Sequence, residues 1–342
     1  MVAVDALVSH QLPSAGRLSG AVSILVLLAC FVAGPASPLA CLALFAAGYR
    51  MTAATIFAAL AASFFLAGYS TAWCRFYLRG CGWFQRGVFL HVSREAIESM
   101  ATKPAMWCMH PHGTFIGFGF TFNGAIRFRC RDEAKYVPGE LAANVNWARL
   151  RQCDGVQAPI LFKLPIVRNA LLGFGCATPA TKKGLFGLMR RQVDFGILPG
   201  GMEEVALFER GKERVFIKKR AGFVKYALQN GYVLQPAYTF GEADCYTALK
   251  HPLYRKLCLF TLLHGGFVLP VFWGPLWWAP LLPDPLVQIN TVVAEPIALP
   301  LIAEPTAADV AKWHGVYMDT LVRIFEAHKG RFGCADRTLE LL

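Results

Sequence analysis

Two long stretches near the amino terminus carry no charged side chain, and they limit the possible folds more than any other feature. One runs from Leu18 to Tyr49 and the other from Met51 to Cys74, with only Arg50 between them. Each exceeds the ~20 apolar residues that a helix needs to cross a bilayer. Neither has a polar face or resembles a cleaved signal peptide. Residues 18–74 are therefore predicted to form a membrane hairpin or two transmembrane segments.

The topology of this region depends on a proline-rich break and on a cluster of arginines. The sequence GPASP at residues 34–38 is expected to break a helix, so two spans and a re-entrant hairpin both remain open. Four arginines follow the second run, at Arg75, Arg79, Arg86 and Arg94. Basic flanks are typical of the cytosolic side. We therefore expect a cytosolic tail over residues 1–17 and a cytosol-facing body over residues 75–342.

The overall composition agrees with a membrane-associated protein. The chain of 342 residues is 55% hydrophobic and only 16% charged, against roughly 25% charged in ordinary soluble domains. Its net charge of +12 favours partners that carry phosphate. No nucleic-acid-binding motif is present, so lipid headgroups or a phosphorylated co-substrate are the expected partners. The eleven cysteines include no C-x-x-C pair, which indicates reduced and mostly buried thiols.

Beyond about residue 85, short apolar runs alternate with helical patterns, which predicts an α/β body. The predicted strands lie at 106–110, 194–201, 232–240 and 287–297, and predicted helices at 181–193 and 221–231. Thr306 and Asp309 predict a capping box at the start of a last helix. The stripe from Val310 to Phe325 predicts that one face of this helix packs in the core.

A third stretch, residues 257–283, has no Asp, Glu, Lys or Arg and contains three tryptophans and several prolines. The prolines make a straight membrane helix improbable. Tryptophan is enriched at membrane interfaces, so a proline-broken interfacial segment is favoured. The wall of an acyl tunnel and ordinary burial remain alternatives.

Residues 106–116, MWCMHPHGTFI, place two histidines at the end of a predicted strand. On an extended backbone His110 and His112 would point to the same side, and Gly113 would allow a tight turn. A metal site lacks a recognisable third ligand, and two structural histidines are a second possibility. A general base at the strand end is the third, because imidazole titrates near neutral pH.

A second cluster, ILPGGMEEV at residues 197–205, offers glycines followed by acids. Gly200 and Gly201 allow a close approach of the backbone, and their N–H groups are candidate donors to a developing oxyanion, as is the N–H of Gly113. A carboxylate from Glu203 or Glu204 would stabilise a histidine base. An ordinary turn is the alternative.

Several sequence blocks, and their order along the chain, resemble those of the type-2 diacylglycerol acyltransferase family. This family includes monoacylglycerol and wax-alcohol acyltransferases. The blocks are HPHG (110–113), FKLPIVRNALLGFG (162–175), PGGMEE (199–204), RAGFVKYAL (220–228), PAYTFGE (236–242) and WHGVYMDTLVRIFEAHK (313–329). The resemblance spans roughly residues 85–332. It implies a glycerolipid-acyltransferase-like α/β body preceded by a hydrophobic helical hairpin.

The resemblance also implies residue roles. The acid of the H-x-x-x-x-D arrangement that is common in glycerolipid acyltransferases is absent here, since Gly117 stands five residues after His112. His112 is then the expected general base, with His110 secondary, because the first position of the histidine tetrad varies in the family. Glu204 matches the acid that ends the family's G-G-x-x-E pattern, and Glu203 is the weaker candidate.

The resemblance further implies transfer of an acyl group from acyl-CoA to diacylglycerol, giving triacylglycerol, without a metal or bound cofactor. Residence in the endoplasmic reticulum membrane or on lipid droplets is implied as well. The basic side chains expected near the CoA phosphates, or alternatively on a solvated surface, are Lys182, Lys183, Arg190, Arg191, Lys218, Lys219 and Arg220. Monoacylglycerol or a long-chain alcohol as acceptor, and a non-catalytic membrane-hairpin protein, are the competing interpretations.

Overall fold

The structure, a computed structural model, describes residues 7–66, 68–114, 116–129, 143 and 145–342. The first six residues of the predicted tail lie outside this range. The helices are α1 (Arg17–Ala46), α2 (Arg50–Leu66), α3 (Thr71–Leu78), α4 (Arg94–Thr102), α5 (Phe118–Asn123), α6 (Ala125–Arg129), α7 (Trp147–Leu150), α8 (Val167–Gly173), α9 (Lys182–Arg190), α10 (Gly201–Leu207), α11 (Gly222–Asn230), α12 (Pro252–Gly265) and α13 (Ala307–His328). The strands are β1 (Leu7–Gln11), β2 (Val88–Ser93), β3 (Ala105–His110), β4 (Asp154–Gln157), β5 (Ala177–Pro179), β6 (Phe195–Ile197), β7 (Glu213–Val215), β8 (Val233–Phe240), β9 (Thr247–Ala248), β10 (Phe272–Trp273), β11 (Ile289–Val293) and β12 (Leu339–Leu341).

A mixed eight-stranded sheet in the order β1-β2-β11-β8-β3-β6-β4-β5 organises the body. The neighbours β8, β3, β6, β4 and β5 are parallel, whereas β11 runs antiparallel to β8. Parallel strands end at the same edge of a sheet, where open α/β folds bind their ligands. The segments that follow β3, β6 and β8 therefore meet at one edge. The predicted α/β architecture is confirmed.

The sheet is covered on both faces by apolar side chains. Along β3, Trp107 and Met109 belong to one buried cluster, while Met106 and Cys108 belong to another. The first cluster includes Leu27 of α1, and the second includes Tyr317 of α13. This alternation is the side-chain period of a strand that is buried on both faces. The amino-terminal helix is thus part of the protein core.

The helix break expected at residues 34–38 is wrong, because α1 continues through Pro35 and Pro38. A proline removes the N–H that would bond the carbonyl four residues earlier. For Pro38 that acceptor is the carbonyl of Gly34, and the hydroxyl of Ser37 donates to it instead, at 3.0 Å. Gly34 lies where α1 packs closely against Val167, and only the absence of a side chain at Gly34 allows this contact. A side-chain donor and a close contact with the body thus keep the helix continuous.

Among the described helices, α1 is the one that is long and apolar enough, by length and composition, to cross a membrane. The second apolar helix, α2, is shorter. The outer side of α1 exposes large apolar side chains such as Leu39 and Leu42, and α2 exposes Phe57 and Phe65. Before α1, residues 7–11 of the predicted tail pair with β2 as an edge strand.

The other predicted elements agree with the structure. Three predicted strands contain β6, β8 and β11, and the fourth, 106–110, covers β3 except for Ala105. The two predicted helices contain α9 and α11. The capping box of Thr306 and Asp309 is present at the start of α13, so this prediction is confirmed. Within residues 257–283 the helix α12 ends at Gly265, and the segment beyond it exposes Trp277 and Trp278. Of the ten described cysteines, all free, nine are buried.

The docking of α1 can be tested at Gly20, whose added Cβ would overlap the main chain of Trp83 and lie 2.8 Å from the carbonyl carbon of Gly82. Gly20→Ala should lower the free energy of unfolding by about 1–3 kcal/mol, because main chain cannot move aside as a flexible side chain can. The measurement is the apparent melting temperature of the detergent-solubilised protein.

A matched control is Gly315→Ala, which lies inside α13 with no atom within 4 Å of the added Cβ. It should leave stability unchanged or raise it by up to about 1 kcal/mol, the helix-propensity difference between glycine and alanine. Equal melting temperatures for the two variants would contradict the docking of α1 on the body.

Candidate active site

Three motifs meet at the edge of the sheet where the parallel strands end. The strand β3 ends at His110, and His112 lies in the turn that follows. Beyond β6, the PGG sequence leads into α10, whose first turn carries Glu204. Beyond β8, a short turn carries Glu242. The structure thus brings the histidine and acidic motifs of the sequence together.

Glu204 is buried, and both of its carboxylate oxygens accept main-chain N–H groups. Oε2 accepts from the N–H of His112 at 2.6 Å, and Oε1 accepts from the N–H of Phe216 at 3.0 Å. Buried carboxylates require such donors because desolvation is otherwise costly. The sequence prediction had Glu204 holding the imidazole ring, whereas here its hydrogen bond is to the main chain of His112. The carboxylate therefore fixes the position of the turn rather than the ring.

His110 and His112 do not share one face. The His110 ring is buried, and its Nε2 lies 2.8 Å from the Tyr317 hydroxyl, with Nδ1 3.7 Å from Oε1 of Glu204. The strand ends at His110, so the alternation that would pair the two rings does not continue to His112. His110 thus contacts α13 and the carboxylate, whereas His112 faces the cavities described next.

His112 lies where two cavities adjoin. One is a partly open apolar cavity of about 100 Å³ that reaches Leu27 and Phe31 of α1. The other is an open groove of about 660 Å³ that reaches Lys219 and Arg220. The residues that line both are His112, Gln157, Ala158, Leu198 and Met202. A reacting group at His112 would therefore have an apolar space on one side and a basic groove on the other.

The environment of the His112 ring keeps it neutral at neutral pH. Burial lowers the pKa of His112 below its usual value, and the nearby charge of Glu204 offsets part of this effect. The Nδ1 atom is buried without a hydrogen-bond partner among the described residues. A neutral imidazole can accept a proton, so the ring is in the state that a general base requires.

The glycines of the PGG motif have a geometric explanation. A Cβ on Gly200 would overlap the carboxylate of Glu204, so only glycine leaves room for that acid. Gly201 has a φ of 59° and donates its N–H to the carbonyl of Leu198 at 3.0 Å, so this N–H is occupied within the turn. Gly113, with a φ of 76°, faces Glu242. Of the three predicted oxyanion donors, Gly201 is therefore the least available.

Glu242 is a site residue that the sequence interpretation did not single out. Its two oxygens accept the N–H groups of Phe118 and Gly119 at 3.0 and 2.9 Å. A Cβ on Gly113 would lie 2.6 Å from Oε1, so the carboxyl group packs directly against the turn. Burial raises the pKa of Glu242 to about 8. The main chain at His112 is thus held by one buried acid and the start of α5 by another.

Gln157 was also missed, since it is an unremarkable polar residue at the end of β4 in the sequence. With His112, it is one of the two polar side chains that line both cavities. Its amide group is a donor type suited to a developing oxyanion. Only the three-dimensional arrangement identifies it, because no motif surrounds it.

The seven predicted basic residues separate into three groups. Lys219 and Arg220 line the groove at His112, and Arg220 is paired with Glu203. Lys183 and Arg191 line a different groove, of about 460 Å³, beside α9. Lys182 lies over the ring of Phe186, Arg190 donates to the Phe186 carbonyl, and Lys218 is exposed. Two of the seven therefore border the cavity that contains the candidate base.

A metal site finds no support in the described part of the chain. There, no group of three or more His, Cys, Asp or Glu side chains is arranged to hold a metal ion. Both carboxylates next to the turn are occupied by main-chain N–H groups.

Comparison with known proteins identifies the family of this chain. A family model described as diacylglycerol acyltransferase matches residues 142–342. Diacylglycerol O-acyltransferase 2 of Dictyostelium discoideum is 35% identical over 242 residues, covering 69% of this chain and 68% of that protein. Acyl-CoA wax alcohol acyltransferase 1 of Mus musculus is 31% identical over 249 residues, covering 67% of each chain. Other relatives are matched over less of their length, down to 41%.

Among solved structures, a 1-acyl-sn-glycerophosphate acyltransferase from Thermotoga maritima aligns with 90% of this chain and 95% of its own. The sequence identity is 10% and the TM-score 0.40. The family match, by contrast, covers more than half of the sequence. The chain belongs to the diacylglycerol acyltransferase family, and the resemblance drawn from its sequence blocks is confirmed.

The distinct positions of the two neighbouring acids give a test. Glu204→Gln replaces one acceptor oxygen with an amide that cannot accept a main-chain N–H, which leaves a buried donor unpaired at a cost of about 1–3 kcal/mol. The turn should shift, and turnover of acyl transfer should fall at least tenfold. Glu203→Gln removes only a partly exposed ion pair with Arg220 and should have a smaller effect.

The two variants are compared by steady-state acyl-transfer rates at a temperature well below both melting temperatures, where each is confirmed to be folded. A larger loss of turnover for Glu203→Gln than for Glu204→Gln would show that Glu203 is the essential acid and would contradict the role given to Glu204.

Proposed function

We propose that this protein is an acyl-CoA-dependent O-acyltransferase that esterifies diacylglycerol to triacylglycerol, with His112 as the general base. The observation that carries the proposal is the position of the His112 ring, between an apolar cavity and a basic groove. An acyl thioester combines an apolar chain with a phosphate-bearing headgroup. Its reactive carbonyl lies between these two parts.

The reaction follows from the chemistry of these groups. The neutral imidazole of His112 takes the proton from the acceptor hydroxyl as the oxygen attacks the thioester carbonyl. Positioned bases of this kind contribute typically 10²–10⁴-fold to rate. The tetrahedral intermediate then collapses, the C–S bond breaks, and the imidazolium of His112 gives its proton to the departing CoA thiolate, which returns the imidazole to its neutral form. An ester and free CoA are the products.

The remaining site residues act around this step. Glu204 holds the main chain at His112, and its negative charge favours the imidazolium that forms. The side-chain amide of Gln157 and the N–H groups of Gly113 and Gly200 are the candidate donors to the oxyanion. Lys219 and Arg220 line the groove where the phosphates of CoA would lie. The charge of Arg220 is partly balanced by Glu203, so Lys219 is the stronger electrostatic contact.

The proposal places the active site at a membrane surface. The site lies beside α1, which has the length and composition of a membrane-crossing helix. Leu263 of α12 is exposed and lines the groove. Trp277, in the segment after α12, is exposed as well. Residence in the endoplasmic reticulum membrane or on lipid droplets, with the body facing the cytosol, accords with this arrangement and with the family. Both substrates would then be reached from the bilayer surface.

The nearest alternatives change only the acceptor. Relatives of similar identity are named as acyltransferases of wax alcohol and of 2-acylglycerol. A non-catalytic hairpin protein is the alternative from another class. It is disfavoured because a neutral imidazole lies at the junction of two cavities, an arrangement that a structural role does not require.

His112→Ala gives the direct test. Labelled oleoyl-CoA is offered with diacylglycerol, monoacylglycerol or hexadecanol to the full chain in detergent, and the products are separated by chromatography. The unmodified protein should form triacylglycerol fastest, and His112→Ala should lose at least 100-fold in turnover because the base is removed. His251→Ala, an exposed histidine at the start of α12, is the matched control and should keep full activity.

Each outcome has a distinct meaning. Near-normal turnover by a folded His112→Ala variant would refute the assignment of the base. Faster esterification of monoacylglycerol or hexadecanol would reassign the acceptor. No transfer to any acceptor by the unmodified protein would support the non-catalytic alternative.

A further inference from the structure

The strand β12 and the residue after it hold the segment that supports Glu204. β12 pairs in parallel with β7. Beyond this pairing, the N–H of Leu342 donates to the carbonyl of Val215 at 2.8 Å, and the carbonyl of Leu342 accepts the N–H of Ile217 at 2.9 Å. Between these two bonds lies Phe216, whose own N–H donates to Oε1 of Glu204 at 3.0 Å. The main-chain donor to the buried acid is therefore fixed from both sides.

The side chain of Arg337, just before β12, reaches two acids in other parts of the fold. Its Nη1 donates to Oε1 of Glu213 at 2.9 Å. Nη1 and Nη2 also donate to the two carboxylate oxygens of Asp244, at 2.8 and 3.0 Å. Glu213 is buried, and its second oxygen accepts the hydroxyl of Tyr238 at 2.7 Å. A planar guanidinium can bond two carboxylates in this way, whereas a lysine cannot.

The two partners of Arg337 lie in the segments that support the two buried acids of the site. Glu213 begins the strand that leads to the main-chain donor of Glu204. Asp244 lies in the short turn that carries Glu242. Arg337 itself lines neither of the two adjoining cavities. One guanidinium thus joins the supports of both acids from a position outside the substrate space.

The same segment determines where the basic side chains of the groove lie. Lys219 and Arg220 line the groove. They follow directly after Lys218, whose N–H also donates to the carbonyl of Leu342, at 2.8 Å. A displacement of residues 213–218 would therefore move the basic side chains as well as the donor to Glu204.

We propose that Arg337 is a positioning residue for acyl transfer, which acts by holding residues 213–218 to the turn at Asp244. This inference rests on the acyl-CoA-dependent activity proposed above. Without the guanidinium, the main-chain donor to Glu204 and the basic side chains of the groove lose their fixed places. Proton transfer at His112 and binding of the phosphate-bearing donor should both weaken. Binding of the acceptor, which carries no phosphate, should not.

Arg337→Met removes the guanidinium and keeps a long side chain. In the full chain in detergent, kcat should fall at least about tenfold, because small displacements caused far from the chemistry are costly. The KM for acyl-CoA should rise about fivefold, the effect expected for one weakened charge contact. The KM for diacylglycerol should change less than about twofold. Loss of folded protein alone lowers kcat and leaves both KM values unchanged, so the KM for acyl-CoA separates positioning from stability.

Two further variants complete the comparison. Arg337→Lys keeps the charge without the planar fork and should restore part of the affinity for acyl-CoA. Arg323→Met makes the same change as Arg337→Met on α13, where the side chain is 56% exposed and lies 3.7 Å from Glu295. It should leave all three kinetic constants within about twofold, since exposed pairs contribute little. An unchanged KM for acyl-CoA in folded Arg337→Met, or an equal rise in Arg323→Met, overturns the proposal.

Hydrogen–deuterium exchange followed by mass spectrometry tests the contacts without relying on turnover. In Arg337→Met, amides of residues 213–218 and 110–114 should exchange at least about tenfold faster than in the unmodified protein, while α11 exchanges as before. Asp244→Asn, a milder change at a partly exposed carboxylate, should show the same pattern to a smaller extent. Equally faster exchange throughout the chain in both variants, or unchanged exchange in both segments, overturns the proposal.

Failure of the proposed function is distinguishable from failure of this inference. If the unmodified protein transfers no acyl group, the proposed function fails, and a positioning role in acyl transfer fails with it. If the unmodified protein is active and Arg337→Met shows neither the rise in KM nor the local exchange, only the role of Arg337 is refuted.

Discussion

The carboxylate of Glu204 is the interaction on which the candidate site depends. It joins the turn after β3, the first turn of α10 and the segment after β7 through two main-chain hydrogen bonds. A buried carboxylate without donors would cost several kcal/mol, so these three segments must come together for the acid to be tolerated. The glycine at position 200 exists because no larger residue leaves room for this acid. The position of His112 follows from that requirement.

The start of α5 is held in a similar way by Glu242. Its oxygens accept the N–H groups at the start of α5 while its side chain lies against Gly113. Main-chain hydrogen bonds fix a backbone more firmly than contacts with a rotatable side chain do. The main chain of His112 is thus held by Glu204 and the adjacent Gly113 packs against Glu242, while the His112 side chain lines both cavities. Such preorganisation is what a general base requires.

Much of the fold was predictable, because strands buried on both faces and a capped amphipathic helix have strong local patterns. β3, β8 and the capping box of Thr306 are examples. The continuity of α1 was not predictable, since it depends on a hydroxyl from Ser37 and on contact with Val167. The separation of His110 from His112 depends on where the strand ends. Glu242 and Gln157 lie near His112 only because the fold brings distant strands side by side, so no local sequence pattern identifies them.

The amino-terminal helix joins two properties that the sequence presents separately. Its outer side exposes apolar side chains, whereas its inner side forms part of the core and one wall of the cavity at His112. A lipid enzyme gains from this arrangement, because an element with the length and apolar character of a membrane segment also borders the reaction space. The long apolar helix and the α/β body are then one structural unit. Loss of the helix would remove part of the candidate site.

An experimental structure of the full chain with a non-reactive thioether analogue of acyl-CoA tests the central claim most directly. The account predicts that the carbon next to sulfur lies within about 4 Å of the His112 ring, with the phosphates in the groove near Lys219 and with the main-chain N–H of His112 still bonded to Glu204. An analogue bound away from His112, or a turn that has left Glu204, would contradict it.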